Sequence, residues 1–252
     1  MNSIEKTLAV LRALSIPGPP HQLAAIAEAA ELGKTSAHRI LQVLIHNNYA
    51  QSRGDGDYAP GPALYALGGA GGKLDPAATA RPLLNELQRT SGHSVHFAVR
   101  SGRAAVYVSK VEGDKPYQMA SRVGMQIHLH CTAIGKSILA VLTDEEVDGL
   151  LRVTEERAAI AAPPMPEPVE FRKQLRAARK RGFTIDDQEN EANVRCVGAP
   201  VFDSGGAVLG GISVSGLAFV FSLKQAHALG PVVAETASRI SVALGYRATV
   251  AS

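Results

Sequence analysis

Thr35, His38, Arg39 and Gln42 recur at i, i+3, i+4 and i+7, the repeat that lines one face of an α-helix. Ala37, Ile40, Leu41 and Leu44 follow the same repeat two residues later, and two residues turn a helix by roughly 200°. An apolar stripe therefore points inward while short and forked hydrogen-bonding side chains point out. Arginine pairs bidentately with guanine and glutamine with adenine, and threonine and serine reach either base edges or phosphates. That chemistry suits the major groove of duplex DNA. In this reading Thr35, Ser36, His38, Arg39 and Gln42 face base edges, and Lys34 and Arg53 hold phosphates.

Other clusters are weaker. Gly33-Lys-Thr35 and Gly135-Lys-Ser137 imitate the end of a phosphate-binding Walker loop, but Glu28 and His130 stand where its first glycine must sit. His128 and His130 share a strand face and supply only two metal ligands, with Cys131 pointing elsewhere. The same three residues define an enzyme reading, with Cys131 as nucleophile and His128 or His130 as base. Neighbouring residues on a strand rarely aim at one atom, and no third, orienting acid is visible. Residues 186–191 form an acidic cluster without the spacing or glycine of a calcium loop. Arg172, Lys173, Arg176, Arg179, Lys180 and Arg181 lie opposite Phe171, Leu175 and Ala178, as an amphipathic surface helix requires.

The elements around the polar stripe follow from periodicity and punctuation. Ile4, Leu8 and Leu11 predict a helix over 3–14, stopped by the Pro- and Gly-rich residues 15–20. Leu23, Ile26, Ala27 and Ala30 predict a second helix, and residues 31–33 a turn. The third helix runs to about residue 47. Gly54-Asp55-Gly56-Asp57 is a hairpin turn between strands over 50–53 and 58–60. Three helices and a hairpin make a winged helix-turn-helix over 1–61. Pro62 opens a further helix that Gly68, Gly69, Gly71 and Gly72 interrupt, so 62–75 reads as a linker helix and hinge. Beyond it, 76–252 mixes predicted helices near 80–87, 132–142, 144–153, 168–181 and 223–244 with strands over 94–100, 104–111, 118–122, 126–130, 183–186, 195–202 and 208–215. Hairpins flanked by helices imply an α+β domain with an antiparallel sheet.

Composition bounds these readings. The 252 residues are 46% hydrophobic with a net charge of +3, as in a soluble globular protein of two ordinary domains. No apolar run reaches the roughly 18 residues of a membrane span, and the N-terminus lacks a signal peptide's apolar core. With two cysteines, Cys131 and Cys196, the chain is expected to be cytoplasmic, with reduced thiols. Residues 1–75 carry six Lys and Arg against six Asp and Glu, so a positive field at the third helix must come from placement rather than from net charge.

In their joint order these residues resemble the IclR family of bacterial transcriptional regulators. The resemblance runs through Ser3-Ile-Glu-Lys-Thr-Leu8, Lys34-Thr-Ser-Ala-His-Arg39, Tyr58-Ala-Pro-Gly61, Leu67-Gly68 and His130-Cys-Thr-Ala-Ile-Gly-Lys136. It continues through Gly182-Phe-Thr-Ile-Asp-Asp187, Glu189-Asn190, Arg195-Cys196, Ala199-Pro-Val-Phe-Asp203 and Ile212-Ser-Val-Ser-Gly216. It implies an N-terminal winged helix-turn-helix and a C-terminal effector domain related to the GAF and profilin-like folds. It further implies homodimers or homotetramers on a palindromic operator in double-stranded DNA, a small organic acid effector, and neither catalysis nor cofactor. The family's effector contacts would fall at His130, Ala133 and Ile134, with Asp186, Val194, Cys196, Ser213 and Ser215 completing the pocket.

Elementary physics supports part of that transfer. Thr132 can cap the helix that follows, leaving the N–H groups of Ala133 to Gly135 free at a positive helix end that attracts carboxylates. Ser213 and Ser215, two apart on a strand, share one face. Asp186 would repel an anion unless it accepts from an effector hydroxyl or is kept protonated by burial. Glu31 stands where the family's turn has glycine, and left-handed geometry there costs about 1 kcal/mol, which favours moving the turn to Gly33. His128 stands where proline is common, and Asn193 near a usual glycine, a change a positive-φ asparagine tolerates. The third-helix face together with the resemblance implies an effector-controlled DNA-binding regulator. Its rivals are the enzyme above with a dimerising N-terminal module, which would consume its ligand, and an architectural DNA binder, which would respond to none.

Overall fold

The computed structural model describes residues 1–15, 21–69, 75–151 and 163–247. The chain forms two compact units, Met1–Lys73 and Leu74–Ser252.

The first unit contains α1 (Ser3–Leu14), β1 (His21–Gln22), α2 (Leu23–Ala29), α3 (Lys34–His46), β2 (Ala50–Gly54), β3 (Asp57–Pro60) and α4 (Pro62–Gly69). Asn2 and Glu5 start α1 with a reciprocal capping box. Val10, Leu14, Ile26, Leu41, Leu44 and Tyr58 close the core, so all three helices and the hairpin share one apolar centre. The sheet order is β1-β3-β2. β1 was not anticipated; two residues are too few for a periodic signal, and only pairing of His21 with Tyr58 makes them a strand. Gly54, Asp55 and Gly56 all take positive φ at the hairpin tip.

Two expectations are corrected here. Glu31 adopts φ 55° itself, and Gly33 sits at φ −66° as the residue preceding α3, so the turn is not moved. The Glu31 N–H bonds the Glu28 carbonyl and the Leu32 N–H bonds the Ala27 carbonyl, which fixes the left-handed residue after α2. Gly68 and Gly69 lie within α4 rather than interrupting it. The predicted stop at residues 16–20, and Gly71 and Gly72 of the predicted hinge, lie outside the described residues.

The second unit contains α5 (Pro76–Ser91), β4 (Ser94–Ser101), β5 (Ala104–Val111), β6 (Gln126–His128), α6 (Ala133–Ala140), α7 (Asp144–Leu151), α8 (Pro168–Arg181), β7 (Thr184–Asp187), β8 (Val194–Phe202), β9 (Val208–Leu217) and α9 (Leu223–Ala243). The six strands form one sheet of order β6-β5-β4-β9-β8-β7, every pair antiparallel. Strand alternation sends Val95, Phe97, Val197, Ala199, Ile212 and Val214 to a core under α5 and α9. Ala98, Ala105 and Ile127 on the other face pack with Ile134, Ile138, Phe171 and Leu175 of α6 and α8. The sheet is the middle of three layers.

The strand expected over 118–122 is absent. Its carbonyls are taken by a side chain instead of a ladder: Lys110 Nζ donates to Met119 O and Ser121 O, each at 2.8 Å. The segment between β5 and β6 is therefore an irregular strap. The basic run on α8 is largely engaged at home. Arg172 pairs with Asp148, Arg179 donates to the carbonyls of Ala140 and Leu142, and Arg181 donates to Phe183 O.

Candidate functional site

The apolar stripe of α3 buries Ala37, Leu41 and Leu44, with Ile40 half-buried against the same core. Lys34, Thr35, His38, Arg39 and Gln42 are exposed on the opposite side, and Ser36 is half-buried. Gln42 Nε2 lies 3.3 Å from His38 Nε2, which couples two outward side chains. Gly33 precedes the helix without a side-chain cap, so the N–H groups of Lys34 and Thr35 are left without a partner within the helix, while those of Ser36 and Ala37 bond the Gly33 carbonyl. Arg53 is exposed on β2. Among the described residues Lys34, Arg39 and Arg53 have no carboxylate partner. Val43 was missed by the sequence reading. It is 58% exposed and shares the outward face, four residues after Arg39.

The second cluster lies on the α6-facing side of the sheet, organised by register in two rungs. Asp186, Cys196 and Ser215 are cross-strand neighbours, with Ser94 next in line. Thr184, Gly198, Ser213, His96 and Lys110 form the adjacent rung. A Cβ at Gly198 would lie 2.9 Å from the Ala133 backbone, so only glycine lets the start of α6 close onto the sheet. Thr184 Oγ1 donates to Ala133 O at 2.6 Å and fastens that approach.

Thr132 caps α6 as expected, its Oγ1 accepting from Gly135 N at 3.0 Å and donating to His128 O at 2.6 Å. The Gly135 N–H is thus used up. The groups left at the helix end are Ala133 and Ile134, which have no partner within the helix. Cys196, on an interior strand, is still only half-buried, which requires open space over this part of the sheet. Val194 is buried two residues before it on the same face.

Asp186 is 2% exposed. Burial raises its carboxyl to about 6, opposed by bonds from Glu189 N (2.8 Å) and Asn190 N (3.4 Å) and by nearby Lys136. The loop carrying these donors is clasped by buried Lys136, which pairs with Glu189. Asn193 at the end of that loop takes φ 64°, the conformation its asparagine accommodates. His130 is buried away from free exchange, its Nε2 3.0 Å from Pro163 O. Cys131 is buried, its thiol pushed up to about 12 first by burial and then by Asp186 and Glu189, with Sγ 3.5 Å from Asn190 Oδ1. A thiol so held is a poor nucleophile.

Sequence reasoning missed His96, Tyr107 and Ser121, which join this face through register and the strap. His96 Nε2 lies 2.7 Å from Ser121 Oγ, its Nδ1 3.4 Å from Ser215 Oγ, and its ring 4.9 Å from that of Tyr107. No local spacing links residues 96, 121 and 215. A separate cavity of about 350 Å³ opens between α8, β7 and the start of α9, lined by Lys136, Lys173, Arg181, Thr184, Glu189 and His227 among others. It does not include Cys196, Ser213 or Ser215. Its Lys136 and Glu189 are already paired, and its Asp187 is held by Arg195.

A winged helix-turn-helix with an unpartnered polar helix face, joined to a sheet domain with a polar inner face, defines a ligand-controlled DNA-binding regulator. Comparison with known proteins agrees. Residues 70–242 match the family model for the bacterial transcriptional regulator IclR C-terminal domain, and residues 3–54 match the IclR helix-turn-helix domain. The HTH-type transcriptional repressor AllR of Salmonella typhimurium is 29% identical over 251 residues, covering 99% of this chain and 92% of that protein. The HTH-type transcriptional regulator XynR of Escherichia coli is 29% identical over 254 residues, covering 98% and 99%. Among solved structures, the Thermotoga maritima IclR superposes with a TM-score of 0.72 at 31% identity, covering 98% of this chain and 100% of that one. The chain belongs to the IclR family. It is an effector-controlled, DNA-binding transcriptional regulator and not an enzyme. Among the described residues no helix is long and apolar enough to cross a membrane.

Proposed function

We propose that Arg39, His38, Thr35, Ser36 and Gln42 read base edges of a palindromic operator, with Lys34 and Arg53 on the flanking phosphates. The observation that carries this reading is the exposed face of α3, whose cations have no carboxylate partner among the described residues. Val43 adds an apolar group suited to a thymine methyl. The chain acts as a homodimer, or as dimers paired into a homotetramer. Ile4 and Leu8 of α1 and Met1 just before it support that, leaving apolar side chains at 73%, 47% and 60% exposure for a second copy to cover. Two copies of α3 would then read half-sites about 34 Å apart. The functional division follows 1–61, a linker over 62–75 and 76–252, with the protein acting in the cytoplasm where its operator lies.

The effector is a small carboxylic acid. Its carboxylate meets the Ala133 and Ile134 N–H groups, and its body lies over Asp186, Val194, Cys196, Ser213 and Ser215, with His130 behind the helix start. A ligand shifts DNA occupancy only through unequal affinity for two states, so the effector must favour one arrangement of the DNA-binding units. Selection of duplexes from a randomised pool by the full chain tests the DNA half, and we expect an inverted repeat. Recovery of unrelated sequences overturns base reading. Thermal-shift screening against organic acids tests the other half, and a chain stabilised only by neutral or cationic compounds overturns the carboxylate assignment.

A further inference from the structure

His96 is 1% exposed at the centre of the sheet and touches two serines from distant parts of the chain. Ser215 belongs to the proposed effector face and Ser121 to the strap between β5 and β6. Lys110 Nζ holds that strap through Met119 O and Ser121 O and pairs with Glu112. Tyr107 lies against the imidazole from the neighbouring strand. Burial, reinforced by the Lys110 charge, pushes the His96 pKa down to about 3, so the ring stays neutral at any physiological pH.

A neutral imidazole offers one donor and one acceptor. Bonds from hydroxyl donors are on average the shorter, with a mode of about 2.7–2.8 Å against about 2.9–3.0 Å for N–H donors, over overlapping ranges. The 2.7 Å contact to Ser121 Oγ suits the Ser121 hydroxyl donating to Nε2, an arrangement that leaves the ring proton on Nδ1, toward Ser215 Oγ at 3.4 Å. Ser215 then accepts from His96, and its own proton is free to turn toward its cross-strand neighbour Cys196 or toward a bound molecule.

We propose that His96 is a positioning residue that fixes the Ser215 hydroxyl as a donor into the effector chamber, selecting molecules that present a carboxylate or carbonyl oxygen there. This rests on the effector reading above and adds the direction of one hydrogen bond to it. With the opposite tautomer Ser215 would donate to the ring and offer only lone pairs, a surface for N–H donors.

Long-range proton–nitrogen correlation on full-length protein with labelled histidine reads the tautomer directly, the His96 signal being the one lost in His96→Asn. A proton on Nδ1, unchanged between about pH 5 and 8, supports the proposal. A proton on Nε2, or a charged ring, overturns it whether or not any acid binds. The side-chain nitrogen of asparagine stands near the position of Nδ1, and that of glutamine near Nε2. In titrations with short-chain mono- and dicarboxylates, His96→Asn should retain the affinity of the best acid, while His96→Gln should lose about tenfold, one hydrogen bond's worth. Circular dichroism confirms that both variants fold. Equal losses in both overturn the proposal, leaving only a packing role. If no acid in the panel stabilises the wild type, the carboxylate reading fails, and the tautomer spectrum alone decides the direction of the Ser215 bond.

Discussion

The outward face of α3 and the α6-facing side of the large sheet use the same chemical vocabulary of hydroxyls, imidazoles and charged groups, under opposite conditions. On α3 the groups stand in water, the cations without a carboxylate partner among the described residues, so their interaction energy is left for a partner. On the sheet they are buried and already bonded to one another. Asp186 takes two backbone N–H groups, His96 bridges two serines, and Lys136 is paired with Glu189. An exposed face can be altered with little effect on folding. A buried network cannot, because removing one member leaves the others unsatisfied.

That contrast can be broken at defined points. Leu41, wholly buried beneath the exposed face of α3, should cost about 2–5 kcal/mol of stability in Leu41→Ala, measured by denaturant unfolding. Its neighbour Arg39 should behave oppositely. Arg39→Ala should weaken binding to the selected operator by about 1–3 kcal/mol in fluorescence anisotropy, with unfolding unchanged to within about 0.5 kcal/mol. Retained operator preference in that variant removes Arg39 from the reading face.

On the sheet, Asp186 predicts a pH signature. Its native pKa lies above the ordinary carboxylate value, so between about pH 4 and 6 the native state holds a proton that the unfolded chain has released. Its contribution to stability therefore falls as pH rises through that window. Asp186→Asn keeps an oxygen for Glu189 N and Asn190 N and should raise the melting temperature by roughly 3 °C at pH 8, with the gain vanishing near pH 4. A pH-independent difference would show that the charge is not responsible. Thr132→Ala, which removes the cap of α6, should cost about 1 kcal/mol and weaken carboxylate stabilisation along with it.

The two faces also differ in how far the sequence disclosed them. α3 was legible because its chemistry and its packing lie on one helix, where Ala37, Leu41 and Thr35, Arg39 declare opposite sides by spacing alone. Ser213 and Ser215 were legible for the same reason, since a strand alternates. The rung that sets Asp186 beside Cys196 and Ser215 depends on the order β9-β8-β7, which no local repeat encodes. His96 became part of the site only through that order and through a strap whose shape is fixed by Lys110. Residues 118–122 carry no β-branched or aromatic side chain and form no strand, and the same lysine takes the carbonyls of Met119 and Ser121. Glu31 was misjudged because a conformational penalty of about 1 kcal/mol is smaller than the packing energy that holds α2 against α3.

Glu31 has a practical consequence. It is exposed and sits at φ 55° between α2 and α3, in a backbone shape that glycine adopts freely. A glycine there would relieve the local torsional penalty while loosening the denatured chain, two small quantities of opposite sign. The position is thus a tuning screw for the durability of the DNA-binding unit, in the turn before α3 rather than on its exposed face. An engineer seeking a tougher or more labile DNA-binding unit could turn it while leaving the exposed α3 side chains as they are.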